Sequence, residues 1–316
     1  MGEATRLPVP RSIEWASRYL EERGVLHPRL NAELLLAHVT GKSRVELYAR
    51  PEAEIPPDRL VLFGELVRRR GFREPLQYIV GRKGFRYLEL VVDRRVLIPR
   101  PETEVLVERA LELLRAMRGR HPVVVDVGTG SGCIALSICR ECPQSQVYAT
   151  DISEDALQVA RLNASLAGLE GLISFHLGDL LSPLPPGMKG RCDLVVSNPP
   201  YVSERDYPCL PEEVREHEPR VSLVAGPSGM EVHLRLMEQA PEWLAPGGFL
   251  LMEMGEDQGE ELKHAARELG YSHVRVHEDL CGRPRVLELG FSGVTGILQG
   301  TDPAPNKEDL PDNDSK

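Results

Sequence analysis

Four residues near the middle of the chain are suited to holding a planar amide or amine group. The apolar run DLVVS leads directly into Asn198, Pro199, Pro200 and Tyr201. Two consecutive prolines fix φ and remove two backbone donors, so carbonyl oxygens are left free to face a ligand. The Asn198 side-chain oxygen and the Pro199 carbonyl form two acceptors, and an NH2 group offers two donors in one plane. Tyr201 can lie against the flat face of that group.

Such a pair of acceptors would assist bond formation at a poorly nucleophilic nitrogen. The lone pair of an amide nitrogen is delocalised, and preorganised acceptors on both hydrogens favour charge build-up on nitrogen as a group transfers in line. The proton can leave late, so no strong base is needed nearby. The alternative is a proline-rich turn that ends a strand, because Asn-Pro commonly opens turns. The motif alone leaves both interpretations open.

A glycine-rich turn stands earlier in the chain, in VVVDVGTGSGCIAL. In an open parallel sheet a ligand binds beyond the carboxyl ends of the strands, and glycines let the backbone approach it closely. Position 133 is Cys, which does not fit a dinucleotide fingerprint, and no GK[ST] follows that would make a phosphate-binding loop. A loop of this kind preceded by an acid suits a ligand without phosphates, such as S-adenosylmethionine. The candidate cofactor-binding residues are Asp126, Gly128, Thr129, Gly130, Ser131 and Gly132.

Further acids follow the next two predicted strands. Asp151 ends one of them, where it could accept hydrogen bonds from ribose hydroxyls. Asp179 and the adjacent Leu180 follow the other, where an adenine could be held. The alternative for each Asp is a helix N-cap, although Ser153 could take that role in place of Asp151. Asn198 follows a fourth strand, and this position together with the acids and the glycine loop favours methylation of an amino or amide nitrogen. Asn198 would then contact both the cofactor that donates the methyl group and the nitrogen that accepts it.

Strand and helix patterns alternate through the second half of the chain. Apolar strands separated by amphipathic helices predict an α/β fold with a mostly parallel, seven-stranded, Rossmann-like sheet covered by helices on both faces. The predicted strands are 123–127, 146–150, 173–177, 194–197, 248–254 and two near Val274 and Val286.

The first part of the chain has a different pattern. Apolar residues at helical spacing over 11–70 predict a small helical bundle, and 84–98 predict two short strands around Asp93-Arg94. We therefore expect an N-terminal helical domain over 1–74, a linker with a hairpin over 75–100, a methyltransferase domain over 101–291, and a disordered acidic tail over 292–316.

Composition limits the class of protein. The formal net charge of -10 argues against a protein that grips nucleic acid mainly through phosphates. Six cysteines show no disulfide framework, and the lone CxxC at Cys139 and Cys142 lacks the partners of a metal site, so no metal is predicted and a reducing compartment is indicated. No apolar run is long enough to span a bilayer, and the N-terminus lacks a signal-peptide core. We expect a cytoplasmic protein.

Three segments beyond the generic motifs resemble the peptide chain release factor glutamine methyltransferases. They are PLQYIVGRKGFRYLEL at 75–90, LIPRPETE at 97–104, and the EPR stretch at 218–220 with its following glycines. The resemblance covers about residues 11–290, and only the tail and the loosely matching GFRYLEL depart from it.

That resemblance implies methyl transfer from S-adenosylmethionine to the glutamine of the Gly-Gly-Gln motif in class 1 release factors, with the N-terminal domain recognising the substrate. Asn198 to Tyr201 would hold the glutamine amide. Gly128 to Gly132 and Asp151 would hold the cofactor, with Asp179 near its adenine. Arg100 and Glu102 lie in the segment that closes over the active site in this family, although a surface ion pair of little energetic consequence is the alternative.

Two other functions use the same motifs. A nucleic-acid methyltransferase acting on adenine N6, cytosine N4 or guanine N2 would also need a flipped base and a basic surface. A small basic cluster keeps RNA open as a substrate, although cations are also favoured at a helix C-terminus. The cluster consists of Arg68, Arg69, Arg70 and Arg73. A non-catalytic S-adenosylmethionine binder is disfavoured, because it would have no use for the acceptors at Asn198.

Overall fold

The computed structural model describes residues 7–117, 119 and 121–291. The tail expected over 292–316 lies outside these residues. In the described part, an N-terminal helical region and a short hairpin precede a large α/β domain. The predicted fold class is therefore confirmed.

The N-terminal region packs its helices around an apolar core. Its elements are β1 (Leu7–Pro8), α1 (Val9–Glu21), α2 (Pro28–Thr40), α3 (Arg44–Ala49), β2 (Glu54–Ile55), α4 (Pro57–Gly71) and α5 (Leu76–Val80). The helical periodicity over 11–70 predicted a bundle, but it did not reveal the short α3 and α5 or the pairing of β1 with β2. A single helical turn buries too few residues to show a period.

The hairpin consists of β3 (Arg82–Phe85) and β4 (Leu88–Val91), which pair antiparallel. The prediction of two strands around Asp93-Arg94 is wrong, because the turn falls earlier, where Arg86 adopts a φ of 48°. Ion pairs of the Arg86 guanidinium with Glu141 at 2.6 Å and Glu108 at 2.8 Å stabilise that turn. Asp93 instead accepts hydrogen bonds from the backbone and side chain of Arg95 in a separate turn.

The α/β domain has seven strands in one sheet, in the order β12-β13-β11-β8-β5-β6-β7. All neighbours are parallel except β13, which runs antiparallel to both β11 and β12. Two smaller strands, β9 and β10, pair outside this sheet. The elements are α6 (Thr103–Ala116), β5 (Val123–Val127), α7 (Cys133–Glu141), β6 (Gln146–Asp151), α8 (Glu154–Leu166), β7 (Ile173–Leu177), β8 (Cys192–Ser197), β9 (Val202–Ser203), α9 (Glu212–His217), β10 (Val224–Gly226), α10 (Glu231–Trp243), β11 (Leu244–Glu253), α11 (Gly259–Glu268), β12 (His273–Glu278) and β13 (Pro284–Gly290).

Strand order reverses at the centre of the sheet. From β5 the chain goes outward on one side through β6 and β7, and then returns to the other side of β5 as β8. A crevice opens beyond the carboxyl ends of the two strands that flank such a reversal, and ligands bind there in open α/β sheets. Helices α6 and α7 cover one face of the sheet and α10 and α11 the other, so both faces are buried.

The basic cluster of residues 68–73 joins the two regions of the protein. The Arg70 side chain is only 5% exposed and lies 2.9 Å from Glu213 on α9, which Arg73 also approaches at 3.5 Å. Arg69 pairs with Glu74 at 2.8 Å. Most of the cluster is therefore neutralised by protein carboxylates, and Arg68 and the paired Arg69 are the members exposed on the helix surface.

Candidate active site

The turn between β5 and α7 is held open by three glycines in the left-handed region. Gly128, Gly130 and Gly132 have φ values of 71°, 55° and 83°. The fully buried Asp126 accepts hydrogen bonds from Thr129 Oγ1 at 2.7 Å and from the backbone N–H of Ala135 at 3.1 Å. Asp126 thus ties the turn to the first residues of α7, and its burial raises the pKa of the carboxyl to about 7.

A cavity of about 260 Å³ lies beside this turn, at the carboxyl ends of β5, β6 and β8. Several predicted cofactor-binding residues line it, namely Gly128, Gly130, Asp151, Asp179, Leu180 and Asn198, together with Pro199 and Pro200. Four others are placed differently. Asp126, Thr129 and Ser131 are buried, and Gly132 is the N-cap of α7, where an added Cβ would lie 3.1 Å from Leu136 and 3.3 Å from Ala160. These four residues shape the turn around the cavity.

Asp151 lies at the edge of the cavity with its carboxylate already oriented. Its oxygens accept hydrogen bonds from the backbone N–H groups of Gly130 and Ser153, both at 2.9 Å. Burial raises the pKa of Asp151, and these backbone donors oppose that shift. The cap of α8 is supplied by Ser153, whose hydroxyl accepts from Ala156 at 3.2 Å. Asp151 is therefore available to a ligand.

Asp179 and Leu180 close the far end of the cavity. Asp179 is half exposed and pairs with Arg235 of α10, which also lines the cavity. Leu180 has a φ of 49°, and its carbonyl oxygen accepts from Thr150 Oγ1 at 2.8 Å. The loop after β7 is thereby fixed against the end of β6.

The cavity has the chemistry that S-adenosylmethionine requires. A methyl group added at Gly128 would meet no atom within 4 Å, so this glycine leaves open space for a ligand beside the turn. Asp151, Asp179 and Leu180 line the cavity, and the exposed Ile152 offers an apolar surface next to them. The turn, residues 128–133, contains no lysine or arginine, so it lacks the cation of a phosphate-binding loop.

A second cavity of about 260 Å³ lies on the other side of Asn198 and Pro199. Both residues line the two cavities, so a ligand in one would meet a ligand in the other at this point. The second cavity is mostly apolar and contains Tyr201. Its other lining residues include Leu97, Arg100, Val202, Leu210, Val214 and Leu223.

The side chain of Asn198 is anchored by buried residues from two other elements. Its Nδ2 donates to Thr103 Oγ1 at 3.1 Å, and Thr103 Oγ1 donates to Glu253 Oε2 at 2.7 Å. Tyr201 reaches the other oxygen of Glu253 at 3.4 Å. The nitrogen of Asn198 is thus occupied, which leaves its amide oxygen as the acceptor for a ligand.

Arg100 takes part in a buried ion pair, which excludes the surface alternative for this residue. Arg100 Nη2 lies 2.6 Å from Glu218 Oε1, and the Glu218 side chain is only 1% exposed. Glu218 Oε2 also accepts from the backbone N–H of Ile98 at 3.2 Å. Glu218 therefore holds the 97–100 segment across the second cavity, whereas Glu102 is exposed just ahead of α6.

The segment after Tyr201 is held by close backbone contacts. Gly229 has a φ of 86°, and a Cβ there would lie 2.8 Å from the carbonyl oxygen of Tyr201. Gln258 Nε2 donates to the carbonyl oxygens of both Tyr201 and Gly229 at 3.0 Å. These contacts fix the backbone that follows the two prolines.

Sequence reasoning missed Thr103, Glu253 and Gln258. Glu253 carried a usable signal, since it is an acid directly after the apolar run FLLM of a predicted strand, at the sheet edge where the other acids lie. Thr103 carried a weaker signal, because it lies in the 97–104 segment that resembles the family, whereas Gln258 had none. Among the described residues, no group of three or more His, Cys, Asp or Glu is placed to hold a metal ion, and no helix there is long and apolar enough to cross a membrane.

Two protein-family models match parts of the chain. The model of the PrmC N-terminal domain matches residues 12–81, and that of the methyltransferase small domain matches residues 103–210. A release factor glutamine methyltransferase of Rhodopirellula baltica is 38% identical over 284 residues, covering 89% of this chain and 95% of the relative. That of Moorella thermoacetica is 43% identical over 271 residues, covering 85% and 94%.

The solved structure of the hMettl16 catalytic domain shares the fold, with a TM-score of 0.52 and 17% identity, over 67% of this chain and 77% of that one. Fold, sequence identity and coverage together assign the cofactor as S-adenosylmethionine. On this evidence, the chain belongs to the family of release factor glutamine methyltransferases.

Proposed function

We propose that this protein methylates the side-chain amide nitrogen (N5) of the glutamine in the Gly-Gly-Gln motif of class 1 peptide chain release factors. The observation that carries the proposal is the position of Asn198 and Pro199 between two cavities. One cavity has the acids and glycines of a nucleoside site. The other has room for a side chain that ends in an NH2 group.

Bound S-adenosylmethionine supplies an electrophilic methyl group. The residues of this chain act on the acceptor. Asn198 Oδ1 and the Pro199 carbonyl would accept hydrogen bonds from the two amide hydrogens, which aligns the nitrogen lone pair with the first cavity. As the nitrogen gains positive charge, the same two acceptors stabilise it, and the surplus proton leaves to solvent after the bond has formed.

The second cavity favours an amino-acid side chain as the acceptor. Its apolar lining, with Leu97, Leu210 and Val214, suits the aliphatic part of glutamine, and Tyr201 can cover the face of the amide. The net charge of -10 and the ion pairing of Arg69, Arg70 and Arg73 weigh against a nucleic-acid substrate. We further propose that the N-terminal helical domain, residues 1–74, recognises the release factor in the cytoplasm.

The test is transfer of labelled methyl from S-adenosylmethionine to a purified class 1 release factor. We expect label on the wild-type factor and none on the factor whose motif is changed to Gly-Gly-Ala. Ribosomal RNA and DNA are assayed in parallel. Label on nucleic acid with none on the release factor would refute the proposed substrate and favour an amino-methyltransferase acting on bases.

A further inference from the structure

A chain of buried hydrogen bonds leads from Asn198 into the protein. Thr103, the first residue of α6, and Glu253, the last residue of β11, are each 1% exposed. Neither lines either cavity, yet both are linked to Asn198 through the contacts at 3.1 Å and 2.7 Å. Burying an ionised carboxylate costs free energy unless it is paired and hydrogen-bonded. A buried glutamate directly behind the site therefore suggests a functional role.

The direction of these hydrogen bonds follows from the groups involved. An ionised carboxylate can only accept, and a threonine hydroxyl has a single proton to donate. The Thr103 proton is therefore committed to Glu253, and the hydroxyl oxygen can only accept from its other neighbour. That neighbour must present a donor, which is the Nδ2 group of Asn198. The amide oxygen of Asn198 is then the atom left for a ligand.

We propose that Thr103 and Glu253 are positioning residues that set which way the Asn198 amide faces. With the opposite orientation Asn198 would offer donors to the substrate NH2 group, and the two hydrogens of that group would lose an acceptor. An asparagine amide has nearly the same shape in both orientations, so packing alone cannot choose between them. The inference rests on the proposed function only in taking an NH2 group as the acceptor of the methyl group.

The protonation state of Glu253 should control the orientation of the Asn198 amide. Burial raises the pKa of Glu253 to about 7, while the hydrogen bond from Thr103 and the nearby Arg285 lower it. Glu102 raises this pKa further, Tyr201 Oη faces the same carboxyl, and His233 contacts the Glu253 backbone oxygen at 2.8 Å. Protonated Glu253 could donate to Thr103, which would free the hydroxyl proton for the Asn198 oxygen. The ionised form is thus the working one, and kcat should fall as pH drops through about 7.

The first experiment compares Thr103→Val with Thr103→Ser in the full-length protein. Valine keeps the shape but has no hydroxyl, whereas serine keeps the hydroxyl. We expect kcat of Thr103→Val to fall about 10²-fold, as expected when a reacting group is misplaced, with Thr103→Ser close to wild type. Calorimetric affinity for S-adenosylmethionine should be the same in both. Equal kcat for the two variants would overturn the proposal.

The second experiment measures the pH dependence of kcat. Wild type should lose activity on the acidic side with a midpoint near pH 7, and Glu253→Gln should have low kcat without that midpoint, because glutamine can donate to Thr103 at any pH. A wild-type profile that is flat from pH 6 to 8 would contradict the role of Glu253.

A readout independent of any substrate separates this inference from the proposed function. The Nδ2 protons of Asn198, identified by their loss in Asn198→Ala, should exchange slowly with solvent in wild type and Thr103→Ser, and fast in Thr103→Val. If wild type failed to methylate release factors but kept this pattern, the substrate assignment would fail and the orienting role would stand. Identical exchange in all three proteins would refute the orienting role whatever the substrate.

Discussion

At the scale of single residues, Asn198 combines two separate tasks. Its nitrogen donates a hydrogen bond to Thr103, and its oxygen is the atom that we propose accepts from the substrate amide. Substituting Asn198 by Ala removes one of two preorganised acceptors, for which a loss in kcat of roughly 10²–10³ is expected. The affinity for S-adenosylmethionine should change little. Steady-state kinetics and calorimetry on the same preparation check both statements, and an unchanged kcat would rule out the acceptor role.

Asp151 should act on cofactor binding. Asp151→Asn keeps the size of the side chain but removes the charge, and one hydrogen bond to a charged acceptor is worth about 1.5–3 kcal/mol, or roughly 10–10²-fold in Kd. We expect the Kd of S-adenosylmethionine to rise by that factor. The matched control is Asp155→Asn, the same change at an exposed position in the first turn of α8. Equal affinities of the two variants would refute the role of Asp151.

At the scale of elements, the site depends on how the loop after β8 is held. Gly229 and Gly168 both have positive φ, 86° and 69°. A Cβ at Gly229 would lie 2.8 Å from the Tyr201 carbonyl oxygen, whereas one at Gly168 would meet nothing within 4 Å. Each change to Ala therefore adds backbone strain, but only the first displaces the loop that carries Tyr201.

Gly229→Ala should accordingly lower kcat at least tenfold, since a shift of the binding groups by a fraction of an ångström already costs rate. Gly168→Ala should lower Tm and leave kcat near that of wild type. Parallel thermal unfolding and kinetics on the two variants provide the comparison. A Gly229→Ala enzyme with full kcat would show that the loop tolerates the displacement.

At the scale of the whole molecule, one buried arginine links the helical region to the substrate side of the α/β domain. Arg70 Nη2 pairs with Glu213 of α9, Nε donates to Asn31 at 2.7 Å, and Nη1 donates to the Glu74 carbonyl oxygen at 3.0 Å. Val214, the next residue of α9, lines the second cavity. The helical region thus contacts the element that bounds this cavity.

Arg70→Ala should lower the free energy of unfolding by about 3 kcal/mol, because it leaves buried partners without their cation. Arg68→Ala, two positions away on the exposed face of α4, should change it by less than about 0.5 kcal/mol. Urea denaturation followed by circular dichroism measures both. Similar losses for the two variants would show that the buried contacts of Arg70 contribute little.

The features of this protein that could be predicted from the sequence are those set by local backbone and packing preferences. The strand at Ile173–Leu177 was predicted from its apolar pattern, and the glycine turn and Asn198-Pro199 from residue types and spacing. Each of these patterns extends over a few consecutive residues, so it can be recognised without knowledge of the fold. The assignment of these motifs to a methyltransferase followed from their order along the chain.

Tertiary structure alone decided what surrounds those motifs. The hairpin turn lies at Arg86 and not at the predicted Asp93-Arg94. The ion-pair partners of Arg86, Glu108 and Glu141, come from later helices, so the local sequence did not indicate this position. Thr103 accepts a hydrogen bond from Asn198 and donates one to Glu253, and these two bonds join three segments that are far apart in sequence. Local preferences carry no information about such pairs, since a buried polar contact exists only where separate elements meet at one edge of the sheet. The sequence therefore determined the reacting groups, and the fold determined their orientation.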